Sequence, residues 1–193
     1  MKRSPAYCGV ILNVGGEAAL LPWPPESPRG PLLGALIDCL SAHSEMVLLA
    51  TVAGCAELAP VVYARGGYIV ENSATNASRF ALLRMALSEV LNRGRDTALV
   101  VPAEQVPVSG STIAALCAAY NDAPHEIWAV RPVFGGKPGH PLVAGRDLIE
   151  AMLREPDDAT PPQVLEANKQ HVLFVEVDDP AVVAFAQIQA AGK

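Results

Sequence analysis

What most constrains this chain is an alternation. Short, almost uniformly apolar runs are each followed by a stretch whose apolar residues recur at helical spacing. The runs are "YCGVILN" at 7–13, "MVLLATV" at 46–52, "GYIVEN" at 67–72, "TALVVP" at 97–102, "EIWAVRP" at 126–132, "HPLVAG" at 140–145 and "HVLFVEV" at 171–177. Seven residues are too few for a buried helix but enough for a strand, and a run apolar at successive positions is a strand covered on both faces. Between them, "PLLGALIDCLSA" places Leu32, Leu33, Leu36, Ile37 and Leu40 on one helical stripe. "SRFALLRMALSEVLNRG" does the same with Phe80, Leu83, Leu87 and Leu91, with Ser78 as cap and Gly94 as stop. Helices are also expected over 54–65, "SGSTIAALCAAYN", "RDLIEAML", "PPQVLEANKQ" and the apolar tail 181–190.

Strands alternating with helices imply an α/β fold: three layers, Rossmann-like, a mostly parallel sheet with helices on both faces. No linker or internal repeat interrupts the pattern, so residues 1–193 read as a single domain, and the prolines at 22, 24, 25, 28 and 31 mark one exposed loop. Aromatic residues make up only 5%, so Val, Leu, Ala and Ile must fill the core. In such folds ligands sit at the carboxyl ends of strands. That rule selects Asn13–Glu17, Asn72–Ser78, Pro102–Pro107, Pro132–His140 and Asp178–Pro180.

Charge narrows the partners. The net charge is −6 and no basic run is longer than Lys2-Arg3, which argues against a nucleic-acid surface. A phosphate ligand would have to be met by backbone N–H groups, a metal or a few local cations. The basic-then-apolar start mimics a leader, but its apolar stretch is short and reads better as a first core strand; no run reaches the ~18 apolar residues of a membrane span. The four cysteines form no CxxC pair and have apolar neighbours, as expected of buried thiols in a cytoplasmic protein. His43, His125 and His171 lack partners at zinc-ligand spacing. No phosphate-binding P-loop, dinucleotide fingerprint or nucleophile elbow is present.

Several strand ends match one family. "PVFGGKPGHPLVAGRDL" resembles the P-x-[FY]-x-G-[RK]-x-G-H-P segment of the MobA-like nucleotidyltransferases, which include molybdenum-cofactor guanylyl- and cytidylyltransferases. "SRFALLRMAL", "ALVVPAEQVPVS", "AALLPWP" and "VEVDDPAVV" resemble further segments of that family in the same order. The resemblance implies the nucleotide-diphosphosugar transferase fold and Mg²⁺-dependent transfer of a nucleotidyl group from GTP or CTP to a phosphorylated acceptor, by in-line displacement.

It also implies site residues. The loop Leu12, Asn13, Val14, Gly15 and Gly16, with Asn72, would hold the nucleotide. Lys137, Gly139 and His140 would border the acceptor pocket, and Glu104 would stand where the family has its first metal-binding Asp. Against this, the loop runs straight from Glu17 into Ala18-Ala19-Leu20-Leu21, omitting the family Arg and replacing its Lys by Ala18. A like charge at ~4 Å repels by about 4 kcal/mol at an effective dielectric of 20, so Glu17 disfavours a polyanion there. Arg29 is the only replacement cation in reach of the sequence argument. The second metal carboxylate is missing near Ala186-Gln187, and Asp178 and Asp179 read as a turn or cap before Pro180. Glu104 reads equally as a metal ligand or a solvated strand-end acid, His140 as a pocket wall or a structural tie, and Lys137 as a phosphate contact or a solvated side chain. Two functions follow: a transferase with a degenerate active site and little or no activity, or an inactive small-molecule or protein-binding module on the same scaffold. Either allows a homodimer through the apolar tail.

Overall fold

The computed structural model describes residues 3–15, 17–26, 29–156 and 158–186. In chain order the strands are β1 (Tyr7–Asn13), β2 (Pro22–Trp23), β3 (Gly30–Pro31), β4 (Met46–Val52), β5 (Tyr68–Asn72), β6 (Thr97–Pro102), β7 (Ala129–Phe134), β8 (Lys137–Pro138), β9 (Leu142–Gly145) and β10 (Val172–Glu176). The α-helices are α1 (Leu32–Ser41), α2 (Ala59–Tyr63), α3 (Arg79–Asn92), α4 (Gly110–Asp122), α5 (Arg146–Arg154) and α6 (Pro161–Ala167).

The main sheet runs β10-β7-β9-β6-β1-β4-β5, with β8 hairpinned onto β7. The pairs β1–β4, β1–β6, β4–β5 and β7–β10 are parallel. β9 is inserted antiparallel between β6 and β7. The sheet is therefore mixed, and the antiparallel insertion brings the start of β9 beside the carboxyl end of β6.

Alternating residues of the central strands feed two cores. Ile11, Leu49, Leu99 and Val143 pack toward α1, α2 and α4; Val10, Leu48, Val100 and Leu142 pack toward α3, α5 and α6. The two stripes of each strand are both apolar because both faces are covered. The expected strands and helices form, with two differences. Prolines 22 and 31 sit in a small β2–β3 ribbon rather than an open loop. The segment after Pro180 makes a 3₁₀ turn over Pro180–Val183 and then runs extended, with Phe185 bridging Gln105; its remainder lies outside the described residues.

Caps follow the sequence. The Ser78 hydroxyl accepts from the Ala81 N–H at 3.0 Å, and Gly94, at φ +73°, ends α3. Asp179 is tied down as well: it accepts from the Ser109 N–H at 2.9 Å, the Thr112 hydroxyl at 2.8 Å and the Ala181 N–H at 3.0 Å. Burial alone would raise its pKa, but these hydrogen bonds hold it below the ordinary carboxylate value.

Gly139 is required for a reason other than a left-handed backbone. Gly135 and Gly136 take positive φ in the β7–β8 turn, but Gly139 does not. It is needed instead for close approach, because a Cβ there would overlap the Val182 carbonyl. Gly139→Ala is expected to destabilise the protein by roughly 3 kcal/mol or more in urea unfolding, against about 1 kcal/mol for Ser78→Ala. A Gly139→Ala cost below that of Ser78→Ala would contradict this packing.

Candidate functional site

The carboxyl ends of β1 and β6, the start of β9 and the first turns of α3 and α6 enclose a cavity of about 180 Å³. Its floor is aliphatic, made by Leu12, Leu83, Val100 and Leu142, each at most 5% exposed. Pro161 and Leu165 of α6 close one side. Three nitrogen-bearing side chains complete the wall: Arg79, Arg131 and His140.

Each of these has a distinct electrostatic state. Arg79 is the first residue of α3, where the helix dipole disfavours a cation. The Glu104 carboxylate offsets this, accepting from the Arg79 guanidinium at 2.6 Å. Arg131 projects from β7 and donates through Nε to the Gly139 carbonyl at 3.1 Å. No carboxylate among the described residues pairs with it, and burial lowers its pKa without compensation. His140 is held through its own backbone N–H to the Val182 carbonyl at 2.8 Å. Its ring Nδ1 is shut from solvent with no hydrogen-bond partner among the described residues. Burial, then the neighbouring Arg131 charge, push the His140 pKa down to about 4, so the ring is neutral at physiological pH.

Glu104 also meets the place where a second acid was expected. The Ala186 N–H donates to the Glu104 carbonyl at 2.8 Å, and Phe185 pairs with Gln105. The two positions that would share a metal are thus neighbours, but one carries a methyl group and the other a carboxylate already bound to a guanidinium. Among the described residues no group of three His, Cys, Asp or Glu side chains is disposed to hold an ion. The next residue, Gln187, lies outside the described residues and carries no carboxylate.

The other sequence candidates are placed as follows. Leu12 reaches the cavity floor. Asn13 is buried on the opposite face of β1, its amide donating to the Thr51 hydroxyl at 3.1 Å. Val14 is half-buried and Gly15 is exposed with φ +97°, while Gly16 lies outside the described residues. Asn72 closes a turn by accepting from the Ala74 N–H at 2.9 Å. Lys137 is exposed on the β8 side of the hairpin, and Arg29 is exposed beside the β2–β3 ribbon. Gly139 packs under the pocket wall as the acceptor for Arg131. The sequence reading missed Arg131, Arg79 and the α6 residues. One signal for Arg131 was available: a lone arginine inside the apolar run "AVRPV" is buried charge in need of a partner.

The His140 state has a measurable consequence. In the unfolded chain the imidazole binds its proton near pH 6.5, in the folded protein only near 4. Between those values the unfolded state holds the extra proton, so stability falls as pH falls from 6.5 to 4. The wild type is expected to lose up to about 3 kcal/mol more over this window than His140→Gln, read from urea midpoints at each pH. Parallel pH profiles for the two proteins would contradict a buried neutral His140.

Solved structures share this architecture. The manganese complex of Rv0371c from Mycobacterium tuberculosis H37Rv superposes with a TM-score of 0.71 at 19% identity, covering 89% of this chain and 88% of that one. A 4-diphosphocytidyl-2C-methyl-D-erythritol synthase gives 0.73 at 11% identity, covering 95% and 94%. The CTP complex of CMP:2-keto-3-deoxy-manno-octonic acid synthetase gives 0.66 at 12%, covering 90% of each chain. At these identities the likeness shows the fold. A search of curated proteins returned no match. The model of the MobA-like NTP transferase domain matches residues 13–180, from the last residue of β1 to the turn after β10, and by that match the chain belongs to the MobA-like NTP transferase family.

Proposed function

We propose that this protein is a family member with a degenerate active site: it binds a small molecule on the nucleotidyltransferase scaffold and has little or no nucleotidyl-transfer activity. The observation that carries the reading is the 2.6 Å ion pair between Arg79 and Glu104, with Ala186 beside it. Nucleotidyl transfer needs positive charge on the triphosphate and carboxylates to seat Mg²⁺ in near-octahedral geometry. Here the glycine loop carries Glu17 and no cation over 12–21, and the one acid in the metal position is neutralised. The residues present do not fit a divalent ion, although manganese is bound in the complex of Rv0371c. Nor do they favour GTP or CTP, although the octonic acid synthetase was solved with CTP. A molybdenum-cofactor acceptor is the family expectation and finds no residue here that selects it.

Magnitudes support the same conclusion. Each lost charge-stabilising group typically costs on the order of 3 kcal/mol of transition-state stabilisation. Four positions are altered: the Arg, the Lys and both acids. Together these losses, on the order of 12 kcal/mol, are comparable with the whole transition-state stabilisation of a typical enzyme. The net charge of −6 supports a partner other than nucleic acid, and the free thiols, of which Cys8 is buried and pushed up to about 12 while Cys39, Cys55 and Cys117 are only half-buried, support a reducing cytoplasm. Among the described residues no helix is long and apolar enough to cross a membrane. A homodimer would find exposed apolar surface at Phe174 and Phe185.

Calorimetric titration with GTP and with CTP in the presence of Mg²⁺ tests the reading. The expected result is no saturable heat up to about millimolar nucleotide. A dissociation constant in the micromolar range for either would overturn it.

A further inference from the structure

The cavity holds more information than the absence of a transferase site. Its floor and sides are aliphatic or proline carbon, so a polar heterocycle would leave its N–H and C=O groups without partners there. Its volume of about 180 Å³ is close to that of a cavity of roughly 150 Å³ known to admit a benzene ring. A single ring or a chain of five or six carbons fills it.

The charged wall sets the other half of the ligand. Arg79 and Arg131 contribute two positive charges, Glu104 one negative, and neutral His140 none, which leaves +1. That residual charge sits on Arg131, which spends one donor on the Gly139 carbonyl and keeps its terminal nitrogens free of any ion pair among the described residues. A half-buried guanidinium without a carboxylate is costly unless an anion completes it. Among the described residues Arg131 thus stands as an unpaired cation on the wall of an apolar cavity. A planar fork of N–H donors matches a carboxylate in bidentate geometry. A phosphate monoester, near −2 at neutral pH, would leave about one negative charge unbalanced in a low-dielectric pocket.

We propose that the cavity between α3, α6 and the Gly139–Leu142 segment binds a small monocarboxylate, with its head on Arg131 and its aliphatic or single-ring body against Leu12, Leu83 and Leu142. This rests on the proposed function insofar as the cavity is a binding site rather than part of a working transferase. Arg79 stays paired to Glu104 and borders the mouth. The body supplies apolar burial and the head supplies selection: binding without the charge would lose the paired guanidinium and with it most of the specificity.

The test uses methyl-labelled full-length protein titrated with hexanoate, hexanol and phenyl phosphate, followed by NMR. Hexanoate is expected to shift the methyl signals of Leu12, Leu83 and Leu142 with a dissociation constant of millimolar or below, and hexanol to bind at least about tenfold more weakly, corresponding to roughly 1.4 kcal/mol. Arg131→Gln is expected to erase that tenfold preference while retaining weak binding of both ligands. If Arg131→Gln fails to fold, the wild-type comparison of hexanoate with hexanol still decides. No shift of these methyls at about ten millimolar hexanoate would overturn the proposal, as would equal affinity for hexanol or tighter binding of phenyl phosphate. The readouts are separable: micromolar binding of GTP or CTP overturns the proposed function alone, whereas unshifted leucine methyls overturn the ligand class and leave the nucleotide result standing.

Discussion

Everything distinctive about this site turns on the contact between Arg79 and Glu104. The pair is partly exposed, with 40% and 28% of the two side chains accessible, so it adds at most about 1 kcal/mol to stability. Its importance is chemical. A carboxylate at the end of β6 that is already paired to a guanidinium attracts a divalent ion less strongly. The guanidinium at the first turn of α3 is that partner, and Ala186, whose N–H donates to the Glu104 carbonyl, carries no carboxylate. In the proposed reading the same pairing disfavours a metal and lessens repulsion toward an organic anion nearby.

The fold makes this arrangement hard to avoid. β9 enters antiparallel between β6 and β7 and so brings Leu142 and His140 against the carboxyl ends of β1 and β6. Gly139 permits the close crossing over Val182 that fixes His140, and its carbonyl in turn orients Arg131. One small residue thus sets the wall of the cavity, and the aliphatic floor follows from the core that the sheet shares with α3 and α6. Burial then makes His140 neutral, which leaves the arginines as the cationic side chains of the wall.

The scaffold was largely legible in the sequence because uninterrupted apolar runs and period-3.6 apolar stripes report burial directly, and burial decides elements in an α/β sheet. Ser78 and Gly94 announced the ends of α3 by residue type. The antiparallel insertion was not legible, since a four-residue apolar run looks the same in either direction. The site was legible only in part. Glu104, Ala186 and His140 could be placed by the order of motifs, and the structure brings Glu104 and Ala186 together. The Arg79–Glu104 pair spans 25 positions in the chain and has no spacing signature. Arg131 was overlooked although a lone arginine inside an apolar strand run signals a charge in need of a partner; which partner it lacks is set only by the fold. Asn13 and Asn72 looked like ligand contacts by strand-end position alone, whereas their amides close local hydrogen bonds.

The central proposal is that Glu104, paired to Arg79, holds no divalent ion. Electron paramagnetic resonance of Mn²⁺ titrated into the protein reads this directly, because the free aqua ion and the bound ion give different signals. The account predicts that the wild-type spectrum remains that of free Mn²⁺ at about millimolar concentration, since a lone neutralised carboxylate is a poor site for a hard cation. Stoichiometric binding at micromolar Mn²⁺ that disappears in Glu104→Gln would contradict it.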